Sequence, residues 1–496
     1  MKNALVLFVL CLFFFFFLLN VRPLFDPDEG RNAEVAFEMA KNKNYALPTF
    51  NGKAHISKPV FFYWMDAFSM KIFGKGECQA RLPSAVFSLL LILATYLFIR
   101  RISSKEFAFY SALILATSLE YIIYARYVIF DATLTFFFSV SLYLFYLYFK
   151  EKNKYYLFIS YISMGLGCLT KGPVALILPI LISFIFLLFH YNFTKSIKLL
   201  YLHLGLPVVF FINLPWYLMV EHAYPGFSSN FLLHENILRF LTSQYHRTGP
   251  IVYYIPVFLA GFFPWSIYFC LCIAKKVKLI WKKKDKIQFF SLLWLGIVFI
   301  FFSLSHSKLP HYILPLFPAA AIICASYIKS IRLPKSFLFL QIILYTLIVA
   351  GASIHFYYKL HAEDTLLYLF MGLSIPFLAA VYLYGRNLIA GNIASMTVIF
   401  LVTLFVATNY LSPYCSAKDV AGFLNRTCPH QTISTFYVSP FSLVFYYNGR
   451  VVENKKSRYI VTKPSKISYL KGKMIYRKGN WVVIDEGASH SIQKVR

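Results

Sequence analysis

Acidic side chains are scarce in this sequence. It has 20 Asp and Glu among 496 residues, and only 14% of its positions are charged. Soluble domains carry about 25% charged residues, so a water-soluble globule is excluded. The eight cysteines form no CxxC pair and no other zinc-ligand spacing, which rules out a framework of that type. Most of them lie inside apolar runs, where a cysteine serves by default as a small hydrophobe. Cys415 and Cys428 flank an expected extramembrane helix and could form a disulfide on an oxidising side. The formal net charge is +29, yet no basic face with a nucleic-acid docking motif accompanies it, and nucleic acid is not an expected partner. A small-x-small cleavage site is missing too. The first apolar run, Ala4–Asn20, is followed by Val21-Arg22-Pro23 and reads as a retained anchor.

Hydrophobicity is abundant instead: 59% of residues are hydrophobic and 20% aromatic. Apolar runs long enough to cross a bilayer recur along the chain, and hydropathy places about thirteen of them. They fall near 4–21, 83–100, 107–120, 132–149, 155–169, 174–190, 199–219, 253–273, 288–304, 313–328, 337–354, 366–384 and 390–410. The short connections alternate in charge. Arg100, Arg101 and Lys105 fall on one side, followed there by Lys150, Lys152 and Lys154, Lys195 and Lys198, the run from Lys275 to Lys286, Lys329 to Lys335, and Arg386. Positive loops stay in the cytoplasm. The amino terminus is therefore expected inside, and an odd number of spans puts the carboxyl terminus outside.

The expected architecture is an α-helical polytopic membrane protein. Residues 1–410 form its transmembrane part, with 22–82 as a first outer loop, and residues 411–496 form a small extramembrane α/β domain. In the loop, Arg31, Glu34, Glu38 and Lys41 recur at helical spacing, with Val35 and Met39 on another face, which predicts an amphipathic helix along the membrane surface. Pro59–Phe73 predicts a second interfacial helix. Beyond Ser412, strands are expected at Ile433–Val438, Arg450–Glu453, Arg458–Thr462 and Trp481–Asp485, and helices near Ala417–Arg426 and Phe441–Tyr447.

Chemistry is to be sought on the outer face. Asp26, Asp28, Glu29, Glu34 and Glu38 put a quarter of the chain's acids into one short window. Carboxylates at the start of a helix also serve as caps, so this window has a structural reading beside the catalytic one. Further groups stand at Arg31, at His55-Ile-Ser57-Lys58-Pro59, at Asp131, at Lys171, at His234-Glu235-Asn236 with Arg239, at Arg247, and at His311-Tyr312. Each alone could be an interfacial anchor. Together they are mixed-sign groups over an apolar bundle, which suits an amphiphile whose phosphate lies near the headgroups. A carboxylate can act there as general base or hold a metal, and Lys and Arg can stabilise a leaving phosphate.

The run "DPDEGRNAEVAFEMAKNKNYALPTFNGKAHISKPVFFYW" resembles the first outer loop of the lipid A 4-amino-4-deoxy-L-arabinose transferase family. That family is grouped with the dolichyl-phosphate-mannose-protein mannosyltransferases among the GT-C glycosyltransferases. The runs "ARYVIFDATLTFFF", "GLGCLTKGPVALILP", "HENILRFLTSQYHRTGPIVYYIPVFLAGFFPW" and "SKLPHYILPLFPA" are similar to the family's and fall in its order, over roughly residues 5–330. The resemblance implies a GT-C fold and transfer of a sugar from a polyprenyl-phosphate donor to lipid A or another glycolipid at the periplasmic face of a bacterial inner membrane. It implies that the family's essential first-loop aspartate is Asp28, its second-loop aspartate Asp131 and its phosphate-contacting lysine Lys58. Asp28 is expected to orient or deprotonate the acceptor with help from Asp131, and Glu29 is a further candidate catalytic carboxylate. Lys58, Arg239, Lys171 and Arg247 would hold the donor phosphate, with Arg31, His55, Glu235, His311 and Tyr312 as acceptor or auxiliary residues. Two departures stand out. Ser57 precedes Lys58 where the family has glutamate, and Asn236 follows Glu235 where it has histidine, which removes two zinc ligands of the family pattern. A divalent ion on Asp28 and Glu235 stays open, and a monomer is expected. Alternative readings are a protein O-mannosyltransferase-like enzyme or a lipid flippase or transporter. Transporters place ionisable groups near midplane, whereas the clusters here sit at one mouth.

Overall fold

A computed structural model of the chain describes residues 2–238, 241, 249–281, 285–328, 335–360 and 388–487. Its first eleven helices are α1 (Lys2–Cys11), α2 (Asp28–Asn42), α3 (Phe61–Phe73), α4 (Glu77–Ile102), α5 (Lys105–Ala116), α6 (Leu119–Ala125), α7 (Phe130–Glu151), α8 (Lys154–Lys171), α9 (Val174–Leu188), α10 (Phe193–Leu200) and α11 (Leu202–Ala223). Among the described residues, six helices are long and apolar enough to cross a membrane, or up to eight if each of two bent pairs is one span. Three shorter apolar helices, Asn3–Phe16, Val174–Leu188 and Ile342–Gly351, accompany them. The expected span at 366–384 lies outside the described residues.

Hydropathy drew one span, 253–273, straight through a bend, and ended another, 107–120, where a second, bent helix begins. α5 and α6 meet at 67°, and Ile251–Gly261 meets Ser266–Lys275 at 116°. At the first break Ser118 is extended, and the Thr117 and Ser118 hydroxyls donate to the Leu113 and Ile114 carbonyls at 2.6 and 2.7 Å. At the second, Pro264 has no N–H with which to continue a helix. Apolarity does not register either device.

α7 is the centre of the bundle. Phe130 through Phe138 are buried apart from Phe136, as are Leu142, Tyr143 and Phe145, and the helix packs on α4, α8 and α9. The outer helices keep apolar side chains outward: Leu204, Phe210, Phe211 and Leu218 of α11 are each more than half exposed. Such a surface is stable only against lipid.

In the first loop both expected helices form, but α2 does not lie on the membrane with a solvated face. Glu34 and Glu38 are buried because α2 is sandwiched between α3 and the later helix Phe441–Tyr446. Glu38 accepts from the Thr49 hydroxyl at 2.6 Å and the Gly52 N–H at 3.2 Å. Glu34 faces the Lys75 ammonium at 3.8 Å. α3 instead presents Phe68, Ile72 and Phe73 outward.

Strands β1 (Thr49–Phe50) and β2 (Lys53–Ala54) make a small hairpin. The remaining strands, β3 (Thr432–Thr435), β4 (Arg450–Glu453), β5 (Tyr459–Thr462), β6 (Lys473–Lys478) and β7 (Trp481–Asp485), form one sheet in the order β4-β3-β5-β7-β6. β3 is parallel to both its neighbours, and β7 is antiparallel to β5 and β6. Helices Lys418–Thr427 and Phe441–Tyr446 cover one face through Val420, Leu424 and Leu443. Cys415 and Cys428 are both free thiols. They pack into separate clusters, Cys415 beside Phe25 and Tyr127, Cys428 under the sheet.

Candidate active site

The window of acids that opens the first loop is divided among several tasks. Asp26 lies just ahead of α2 and faces the C-terminal segment. Its Oδ1 accepts the Ser442 N–H at 2.6 Å and its Oδ2 accepts the Ser442 hydroxyl at 2.7 Å. Burial pushes its carboxyl up to about 7, although both Ser442 bonds oppose this. Gly30 lies at the same contact, where a Cβ would stand 2.5 Å from the Ser442 nitrogen. Glycine is required there by close approach.

Glu29 corrects the sequence reading, which grouped it with the catalytic carboxylates. The side chain is fully buried and points away from the cavity described below. Its oxygens receive Arg22 Nη1 at 2.6 Å, Arg81 Nε at 2.8 Å, Arg81 Nη2 at 3.1 Å and the Phe25 N–H at 3.0 Å. Burial alone would raise its pKa, but the two guanidiniums hold it down at about 2. Arg81 also donates to the carbonyls of Leu19, Arg22 and Pro23. This knot ties the end of the first apolar segment to α2 and α4. Asp28, one residue earlier, is on the open side of the helix and pairs with Arg31 Nη2 at 2.5 Å.

Asp131 and Lys171 come together because α7 and α8 are antiparallel. Asp131 is in the first turn of α7 and Lys171 is the last residue of α8, so each charge sits at the helix end whose dipole favours it. The two side chains form an ion pair, and His311 Nε2 stands 3.8 Å from the second Asp131 oxygen. Gly172 turns the chain with φ +104° and lies where a Cβ would be 2.9 Å from the Phe231 ring. That packs the loop after α8 onto the π-helical segment Asn230–Leu238, which carries Glu235. Glu235 in turn faces Lys58 at 3.8 Å. His55 shares a 2.9 Å hydrogen bond with Ser57. Burial first, and then the Arg31 and Lys58 cations against Glu235, lower the His55 pKa to about 4, so the ring is neutral at pH 7.

These groups line one cavity of about 250 Å³: Asp28, Arg31, His55, Lys58, Asp131, Lys171, Glu235, His311 and Tyr312. All the described candidates apart from Glu29 are therefore brought together, from α2, the loop before α3, α7, α8 and two later segments. Arg239 and Arg247 lie outside the described residues. Asn32 and Ser57 also line the cavity, and Asn32 was missed although it is one helical turn beyond Asp28. Beside it lies a second, largely apolar cavity of about 580 Å³, walled by Leu134, Val174, Ile177, Leu232, Phe301 and Phe302 among others. Lys58, Lys171, Glu235 and Tyr312 belong to both.

Comparison with known proteins gives this geometry a family. The dolichyl-phosphate-mannose-protein mannosyltransferase family matches residues 57–218. An uncharacterised protein of Aquifex aeolicus is 30% identical over 476 residues, covering 95% of this chain and 91% of that one. The undecaprenyl phosphate-alpha-4-amino-4-deoxy-L-arabinose arabinosyl transferase of Wigglesworthia glossinidia brevipalpis is 31% identical over 382 residues, 75% of this chain and 66% of that one. The crystal structure of ArnT from Cupriavidus metallidurans bound to undecaprenyl phosphate superposes with a TM-score of 0.80 at 23% identity, covering 99% of both chains. The chain belongs to the aminoarabinose-transferase-like family of GT-C glycosyltransferases. The GT-C fold extends to the oligosaccharyltransferase AglB of Archaeoglobus fulgidus, with a TM-score of 0.56 at 12% identity over 94% of this chain and 69% of that one. The chain spans 66% and 58% of the length of the first two named arabinosyl transferases that it matches.

The two carboxylates considered for a divalent ion, Asp28 and Glu235, each already face a cation. Arg31 is against Asp28 and Lys58 faces Glu235. Among the described residues, no three His, Cys, Asp or Glu side chains are gathered as a metal cage. The lysines and arginines that line the cavity are Arg31, Lys58 and Lys171.

Proposed function

We propose that this protein transfers a sugar from a polyprenyl-phosphate donor to lipid A or another envelope glycolipid. The observation that carries the reading is the shared wall of the two cavities. An apolar chamber suited to a prenyl chain opens onto a polar one suited to a sugar, and Lys58, Lys171 and Tyr312 stand at their junction. A phosphate is the group that such a junction would select, because two ammoniums and a phenol can meet its oxygens. The printed names of the arabinosyl transferases and the undecaprenyl phosphate bound to ArnT support the same donor class.

In this reading the acceptor oxygen attacks the anomeric carbon from the polar side. The bond from that carbon to the phosphate oxygen breaks, and its electron pair leaves with the polyprenyl phosphate. Lys58 and Lys171 stabilise the charge that develops on the leaving oxygen. Asp28 orients the attacking group and takes its proton. Asp131, held by Lys171 and His311, fixes the lysine rather than reacting itself. Arg239 and Arg247 remain proposed phosphate contacts. The active site and the α/β domain of residues 411–496 face the periplasm, the amino terminus faces the cytoplasm, and the enzyme acts as a monomer.

Titration of the purified protein with undecaprenyl phosphate tests the junction. Loss of one charged hydrogen bond is worth about 1.5–3 kcal/mol, so Lys58→Ala and Lys171→Ala should each weaken binding about tenfold to a hundredfold. Unchanged affinity in both variants refutes the donor site.

A further inference from the structure

Asn32 is 2% exposed and lines the polar cavity. Its Nδ2 donates to the Val128 carbonyl at 2.9 Å. That bond fixes the orientation of the amide, since only the nitrogen can face a carbonyl oxygen. The Oδ1 is left as a buried acceptor without a partner in the protein. Arg31, also in the cavity wall, has its Nε buried in the same condition while its Nη2 holds Asp28. A buried acceptor is costly when nothing donates to it. Two orphans of complementary sense beside one cavity call for a ligand rich in groups that both donate and accept, which a sugar is.

Position on the helix narrows the assignment. Asn32 is four residues after Asp28, so both lie on one face of α2, about 6 Å apart along its axis. That is roughly the width of one pyranose ring, and neither residue lines the apolar chamber. We infer that Asn32 contacts the sugar of the donor, its Oδ1 accepting a hydrogen bond from a ring hydroxyl or amino group, and so helps select which sugar is transferred. The inference rests on the donor reading above and goes beyond it by naming a residue that reads the sugar rather than the phosphate.

The test separates the two. Affinities of the purified full-length protein are measured for undecaprenyl phosphate and for a panel of undecaprenyl phosphosugars (a hexose, a pentose and an aminopentose). The tightest of these is then compared with its monodeoxy or deamino analogues. Asn32→Ala should bind undecaprenyl phosphate like wild type but lose about tenfold for the preferred phosphosugar. One analogue, lacking the group that Asn32 reads, should weaken wild type by a similar factor and leave Asn32→Ala unaffected, the signature of a coupled pair. Because Asn32→Ala also strips Val128 of its donor, Asn32→Gln serves as second variant. It keeps the amide but displaces it, and should lose the same selectivity with wild-type affinity for undecaprenyl phosphate. Equal losses for both lipids, or sugar preference retained in both variants, overturn the assignment of Asn32 alone. Wild-type protein that does not bind undecaprenyl phosphate overturns the donor reading, and this inference with it.

Discussion

Replacing Glu29 by Gln and, separately, Asp28 by Asn should give opposite failures. Each change removes one negative charge and keeps the shape. Around Glu29 the structure sets the cost in two ways. Two guanidiniums and a backbone N–H bond a fully buried carboxylate, and removing one partner of such a group costs about 3–5 kcal/mol. Independently, its pKa of about 2 against an ordinary 4.5 corresponds to about 3 kcal/mol of differential interaction. The two figures agree in order of magnitude. Because the folded-state pKa is depressed, that contribution is complete above 4.5 and is lost only as pH falls toward 2, so at neutral pH the variant forfeits all of it. Around Asp28 the ion pair with Arg31 is 24% and 30% exposed, which limits its worth to about 1 kcal/mol or less. Thermal unfolding in detergent, with size-exclusion profiles and a transfer assay, separates the cases. Glu29→Gln should melt several degrees lower and yield little monodisperse protein, with activity falling in step with the folded fraction. Asp28→Asn should melt close to wild type and transfer no sugar. A stable but inactive Glu29→Gln, or an Asp28→Asn that cannot fold, would refute this division of labour.

Gly30→Ala should detach the C-terminal segment from α2, since the added carbon would stand 2.5 and 2.6 Å from backbone atoms of Ser442; we expect a loss of about 1–3 kcal/mol, read as faster proteolysis after position 411. For Asp26, burial raises the folded-state pKa to about 7 from 3.8, so the stabilisation it brings is full below about 3.8 and fades as pH rises through 7. The melting temperature of wild type minus that of Asp26→Asn should therefore fall between pH 4 and 7, and a flat difference counts against a buried, proton-binding Asp26. For topology, a membrane-impermeant maleimide applied to intact cells should label a cysteine placed at Lys43 and not one at Lys152; the reverse pattern inverts the orientation.

The sequence made four strands of the C-terminal sheet legible, although the one expected at Ile433–Val438 forms at Thr432–Thr435. Arg450–Glu453 and Trp481–Asp485 form at the expected residues, and β5 begins at Tyr459 rather than Arg458. β6 escaped because it is an edge strand reading Lys-Met-Ile-Tyr-Arg-Lys, mostly exposed. Charge on an edge protects against further strand pairing, and it also hides the strand from a search for apolar alternation. The site was legible as a set of residue types on one face, but not as pairs. That Lys171 would meet Asp131 depends on α7 and α8 running antiparallel with their ends in register, and no local pattern records that. Asn32 carries no charge, and no local pattern records its bond to Val128, 96 residues away.

The concentration of acids at the start of the first loop has a physical cause that only the packing reveals. α2 is enclosed by α3 on one side and by the helix Phe441–Tyr446 on the other, so the carboxylates buried there must find partners, while Lys41 and Asn42 at its end stay exposed. Asp26 takes Ser442, Glu29 takes Arg22 and Arg81, Glu34 takes Lys75, and Glu38 takes Thr49 and Gly52. Asp28 is the one carboxylate of the five that lines the polar cavity. Four acids thus fix the helix from several sides, and the fifth is held at a defined place in the cavity wall with Arg31 beside it. A base that must meet an acceptor delivered from the membrane surface gains from such fixation, because misplacement of even 1 Å costs heavily in rate. If Asp28 is the base proposed above, the acids around it serve its placement without touching the substrate, and a dense cluster of carboxylates then marks the catalytic helix while contributing a single reacting group.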